Sequence, residues 1–78
     1  MKPSEIEDQI VSFTKKSTGR TVTGRMTLYK RDGEPDQWRL IYQTNPVGGL
    51  HLQEDVLIPF EAHEDVRLVD GKLVLEQE

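Results

Sequence analysis

Cysteine is absent from this 78-residue sequence, which removes disulfides, thiolate metal sites and thiol catalysis together. Histidine occurs only as His51 and His63, too few for a metal cluster. Aromatic residues make up 6% of the chain, so the few present belong first to a core. No apolar run approaches the roughly 18 residues of a membrane span, and no charged-then-apolar leader opens the chain. A soluble, cytoplasmic protein that binds no membrane is the expectation.

What is present is room for one core, so residues 1–78 are read as a single domain. A chain of this length buries only about 60% of the surface its unfolded form exposes. Without disulfides, extra stability has to come from a tightly patterned β-barrel or from self-association. The charge is unevenly spread. Residues 1–40 carry eight Lys or Arg against six acids, and residues 41–78 carry two against eight. The net charge of −4 supplies no basic field for coating nucleic acid. An acidic second half suits solubility, or docking onto a basic protein surface.

Along the chain, Ser4 followed by Glu7 fits a capping box, predicting a short helix over residues 4–9. Ile6, Ile10 and Phe13 could prolong its apolar stripe. Yet Ile10-Val11-Ser12-Phe13-Thr14 is built from strand formers, and a strand over residues 10–16 is preferred. Ser17-Thr18-Gly19 reads as a turn into a strand at Arg20–Tyr29, with Val22, Gly24, Met26 and Leu28 facing the core. Gly24 in mid-strand marks a sharp bend or a close backbone approach. Lys30–Gln37 is a loop, and Trp38–Thr44 the next strand.

Asn45–Gly49 is a second loop. Leu50–Gln53 and Val56–Phe60 read as a strand or strand pair interrupted at Glu54-Asp55, with Pro59 at an edge or a strand end. Glu61–Asp65 turns the chain. Val66–Val69 and Lys72–Leu75 make a hairpin around Asp70-Gly71, the sequence of a type I′ turn. The pattern predicts a mostly-β fold: a small five- to six-stranded antiparallel barrel, Sm-like or SH3-like, with a short N-terminal helix.

In Gly19-Arg20-Thr21-Val22-Thr23-Gly24-Arg25-Met26, residues Gly19, Val22, Gly24 and Met26 follow a Gly-x-x-apolar-x-Gly-x-apolar spacing. Val56-Leu57-Ile58-Pro59-Phe60, followed by Val66-Arg67-Leu68, forms an apolar strand leading into a closing strand. In these two motifs the chain resembles the Sm-like family over most of its length. Its layout and acidity are also similar to those of the small bacterial Sm-like inhibitors of the transcription terminator Rho. That likeness implies a bacterial or phage regulator in transcription or RNA metabolism. Sm-like RNA binders carry an aspartate, an apolar or aromatic residue and an asparagine in the loop after the bent strand. Here the loop is Lys30-Arg31-Asp32-Gly33-Glu34-Pro35-Asp36. Asp32 stands at the place of the family's aspartate, but the asparagine is missing and acids replace it.

No constellation for catalysis emerges, and neither enzyme activity nor a cofactor or metal is expected. Asp32, Glu34 and Asp36 lie on an open loop, and paired carboxylates need a cleft to become acid–base groups. His63-Glu64-Asp65 reads as ordinary surface. The serines and threonines lack a glycine-rich elbow or a partnered histidine. Trp38, Tyr29 and Tyr42 read first as core or core-edge residues, although Trp38 opens a strand beside Lys30, Arg31 and Arg39. The expected function is that of an acidic regulatory or adaptor protein whose partner is a protein with a basic surface. The expected contact residues are Arg31, Asp32, Glu34, Asp36, Trp38, Glu61, Glu64 and Asp65, with Trp38 as the apolar anchor. An Sm-like RNA-binding module is the alternative, disfavoured by the acidic loop. Pro59, flanked by Glu54, Asp55 and Glu61, favours a monomer or dimer over a ring.

Overall fold

The computed structural model describes residues 1–43 and 52–78. A helix α1 (Pro3–Ile6) precedes strands β1 (Ile10–Lys15), β2 (Arg20–Tyr29), β3 (Gln37–Gln43) and β4 (Gln53–Pro59). A 3-10 helix (Phe60–Asp65) and strands β5 (Arg67–Val69) and β6 (Lys72–Gln77) complete the chain. The six strands form one sheet in the order β4-β3-β2-β1-β6-β5. The expected loop at Asn45–Gly49, with Thr44, Leu50 and His51 beside it, lies outside the described residues.

The helix is shorter and starts earlier than the capping box implied. Pro3 occupies its first turn, where a fixed φ helps and a missing N–H costs nothing. Lys2 is the cap residue and gives no side-chain hydrogen bond, so Ser4 lies inside the helix. The helix stops at Ile6 because β2 captures the chain. Asp8 N–H donates to the Met26 carbonyl at 2.7 Å, and Met26 N–H donates to the Gln9 carbonyl at 2.9 Å. Asp8 takes φ +64 to make this turn, a conformation its short polar side chain tolerates. Residues 10–15 are strand, as their β-branched composition demands.

β2 is the organising strand. Its first half pairs with β1 from Lys15↔Arg20 to Ile10↔Arg25, and its second half pairs with β3 from Arg25↔Ile41 to Tyr29↔Gln37. The alternation read from the sequence holds, with Gly24 and Met26 buried and Val22 and Leu28 half-buried against the core. At Gly24 the backbone of Ile41 comes so close that no side chain fits between them. The sheet thereby curls around one core of Ile6, Val11, Phe13, Met26, Trp38, Leu40, Ile58, Ala62, Val66 and Leu75. Each fully buried aliphatic among them contributes about 1.5–3 kcal/mol relative to exposure.

Three expectations need correction. The sheet is not wholly antiparallel, because β6 runs parallel to β1 from Val11↔Leu73 to Lys15↔Gln77. The 3-10 helix carries the chain from the β4 edge to the opposite edge, where the β5–β6 hairpin reverses it. β4 is not interrupted at Glu54-Asp55, for these residues pair with Tyr42 and Ile41. On an edge strand both acids reach water without breaking the ladder. Among the described residues β4 and β5 are not paired with each other, so the sheet is open. Pro59 ends the edge strand β4 opposite Gln37, the position its sequence predicted. The Asp70-Gly71 turn is also as read, with φ of +50 and +77 and Val69 facing Lys72.

Candidate functional site

The 3-10 helix is the most definite feature of the acidic surface. Ala62 and the following Val66 are buried, with only 3% of their surface exposed, while Glu61, Glu64 and Asp65 are exposed. One side of a single helical segment is therefore core and the other is carboxylate. Its start is held from beneath by Trp38, whose indole Nε1–H donates to the Phe60 carbonyl at 2.9 Å. The Trp38 and Phe60 rings stack at 5.8 Å with an interplanar angle of 4°. His63 meets Phe60 edge-on at 5.0 Å. Its Nδ1–H donates to the Met1 carbonyl at 2.8 Å, and the Met1 amine donates to the His63 carbonyl at 2.9 Å. At the far end Gln77 Nε2–H donates to Asp65 Oδ2 at 3.0 Å.

Trp38 itself has no exposed surface, so it does not anchor a partner. Its register explains this. Trp38, Leu40 and Tyr42 share the inward face of β3, and the indole fills the space beneath the 3-10 helix. It holds the start of the acidic helix in place from within the core. Nor do the aromatic residues form a platform. Tyr29 lies on the outward face, 6.0 Å from the Arg39 guanidinium, and Tyr42 lies on the inward one.

The loop between β2 and β3 presents the other expected acids. Glu34 N–H donates to the Arg31 carbonyl at 3.1 Å, and Gly33 takes φ +78. Arg31 Nη1 stands 4.0 Å from Glu34 Oε2, both side chains at least half exposed. Such a pair contributes about 0–1 kcal/mol and partly neutralises both residues. Asp32 and Asp36 are exposed and form no ion pair among the described residues. The Gln37↔Pro59 pairing brings this loop beside the start of the 3-10 helix, so Asp36 and Glu61 flank the same end of the β3–β4 ladder.

Glu64 and Asp65 belong to a different neighbourhood. They line a shallow groove with Glu76, Lys16 and Arg67, and Lys16 Nζ lies 4.0 Å from Glu76 Oε2. The expected contact set is thus two acidic patches joined by one helix. Sequence reasoning missed Glu76. The alternation Lys72, Val74, Glu76 would have placed it on the outward face had β6 been extended past Leu75. It named Arg39 only as a cation beside Trp38 and not its partner, for the Arg39 Nε–H donates to Asp55 Oδ2 across the β3–β4 ladder. Tyr42 donates its hydroxyl proton to Glu54 Oε2 at 3.1 Å. Desolvation, then the Glu54 hydrogen bond and charge, push the Tyr42 phenol above its ordinary range, with Arg20 pulling the other way.

Among the described residues no buried side chain is polar or charged, and no helix is long and apolar enough to cross a membrane. No protein-family model, curated protein or solved structure was found to match the chain.

Proposed function

We propose that the protein is a non-catalytic regulatory or adaptor module that binds a protein partner through that partner's basic surface. Its curled sheet is read as an open variant of the small Sm-like or SH3-like barrel. The observation that carries the reading is the 3-10 helix, which sets Glu61, Glu64 and Asp65 in water over a buried Ala62. A core-anchored ridge of carboxylates gives fixed geometry to charge that would otherwise be diffuse, and fixed complementary charge steers association. Asp32 and Asp36 extend the acidic field around the start of the ridge. Among the described residues no titratable side chain is fully buried, which suits recognition better than proton transfer in a dry cleft.

The ridge also opposes RNA at this end of the molecule, since exposed acids repel phosphate and low salt magnifies the repulsion. The test is a pull-down from cell lysate with and without nuclease, read by mass spectrometry, using the native chain and the triple variant Glu61→Lys, Glu64→Lys, Asp65→Lys. A basic protein retained after nuclease treatment and lost with the triple variant is the expected result. Fluorescence anisotropy supplies the opposing arm. Submicromolar binding of a short unstructured RNA at roughly physiological salt, abolished by Lys30→Gln and Arg31→Gln, establishes the RNA-binding reading instead.

A further inference from the structure

On the inward face of the β1–β2 ladder, two successive cross-strand pairs differ completely in chemistry. Phe13 faces Val22, and one step toward the turn Lys15 faces Arg20. Like charges directly opposite one another on one sheet face destabilise the pairing. Here nothing relieves them: neither side chain has an ion-pair partner among the described residues, whereas the neighbouring Lys16 is paired with Glu76. Glu54, which faces Tyr42 across the β3–β4 ladder, accepts the Tyr42 hydroxyl.

These two cations rim a hollow of about 130 Å³ at the open end of the curled sheet. Phe13 and Val22 form one apolar wall, and Val56 of β4, with Tyr42 of β3, forms the other. A cavity of about 150 Å³ lined by aliphatic and aromatic side chains accommodates a benzene ring. The hollow is therefore sized for one ring or a short alkyl chain. The unmatched charges beside it call for an anion.

We propose that this open end binds a small amphipathic monocarboxylate, its aromatic ring or short acyl chain against Phe13, Val22 and Val56, its carboxylate between Lys15 and Arg20. The site is separate from the acidic ridge and does not rest on the protein-partner reading. Carboxylate binding satisfies both cations with charge-assisted hydrogen bonds and withdraws apolar wall from water. The two classes of apolar body share this chemistry, and the choice of probe separates them.

The test is an amide NMR titration of the full chain with benzoate, hexanoate, benzyl alcohol and benzylamine. Saturable shifts centred on Phe13, Lys15, Arg20, Val22 and Tyr42 are expected for one or both carboxylates, at millimolar dissociation constants of order 1 mM. The stronger of benzoate and hexanoate identifies the preferred body. Benzylamine should not bind, and benzyl alcohol should bind roughly fivefold more weakly than benzoate. The double variant Lys15→Gln, Arg20→Gln changes exposed side chains only. It should lose affinity by a similar factor while its unliganded Tm stays level or rises, because a like-charge pair has gone. Equal binding of benzyl alcohol and benzoate, undiminished carboxylate binding by the double variant, shifts centred elsewhere, or no saturable shift with either carboxylate overturns the proposal.

Discussion

A side-chain carbon placed on Gly24 would stand 2.1 Å from the Ile41 carbonyl oxygen and 2.7 Å from its carbonyl carbon. Both atoms belong to backbone that is already paired within the sheet, so neither yields as a flexible side chain would. Gly24→Ala is therefore expected to cost about 3 kcal/mol or more, and Gly24→Val to leave the chain largely unfolded. Urea denaturation followed by circular dichroism reads this directly. A midpoint equal to that of the native chain would show that β2 and β3 separate at no cost.

Trp38→Phe keeps a ring against Phe60 but removes the indole donor from the Phe60 carbonyl. Loss of that bond, with the carbonyl left half-buried, is expected to cost about 1–3 kcal/mol. Because Trp38 is the only tryptophan, the fluorescence of the native chain reports on this buried position. Its emission should be blue-shifted and should move red in the same transition that circular dichroism follows. Emission already typical of exposed tryptophan would contradict its place in the core.

Reversal of Glu61, Glu64 and Asp65 to lysine should leave the fold intact, since all three side chains are exposed. Among the described residues the one side-chain hydrogen bond lost, from Gln77 to Asp65, lies at the surface. Against a basic partner the change should slow association far more than it speeds dissociation, and should flatten the salt dependence of the on-rate. Stopped-flow kinetics over a range of ionic strength separates these effects. A variant with native on-rates would place the contact elsewhere.

The Tyr42 phenol titrates above its ordinary value, through desolvation first and then through Glu54. A raised folded-state value means that the folded chain holds this proton more tightly than the unfolded chain. The associated stability is full below the unfolded tyrosine value of about 10 and is lost as pH rises through the folded one. Stability should thus fall with increasing alkalinity, and the fall should be smaller in Tyr42→Phe. Identical alkaline profiles for the two chains would remove Tyr42 as the cause.

Much of the scaffold was legible because short-range patterns determine it. The alternation in Arg20–Tyr29 assigned its inward residues correctly, and a buried glycine among them signalled a close approach that the Ile41 carbonyl supplies. Asp70-Gly71 between alternating segments named both the turn and its positive φ angles. The misreadings share one origin. Ser4 and Glu7 fit a capping box, yet the helix is capped at Lys2 and hydrogen bonds between residues 8–9 and Met26 end it after Ile6. Glu54-Asp55 read as a break, yet on an edge strand they remain in register with Tyr42 and Ile41.

The candidate site divides along the same line. Its acids could be listed from the sequence, because exposure of charged side chains follows from the cost of burying them. The fate of Trp38 could not, since an indole that opens a strand is equally suited to a surface or a core. The 3-10 helix folding over β3 decided it, by offering the Phe60 ring and carbonyl to the two ends of one side chain. The pairing of Lys15 with Arg20 was likewise undetermined until the β1–β2 register was known. By itself the sequence determined the strand at Arg20–Tyr29 with its apolar face and the Asp70-Gly71 turn, because those are properties of neighbouring residues. Only the tertiary structure decided that β6 runs parallel to β1, that the sheet stays open, and which charges stand together, because those depend on contacts between residues far apart in the chain.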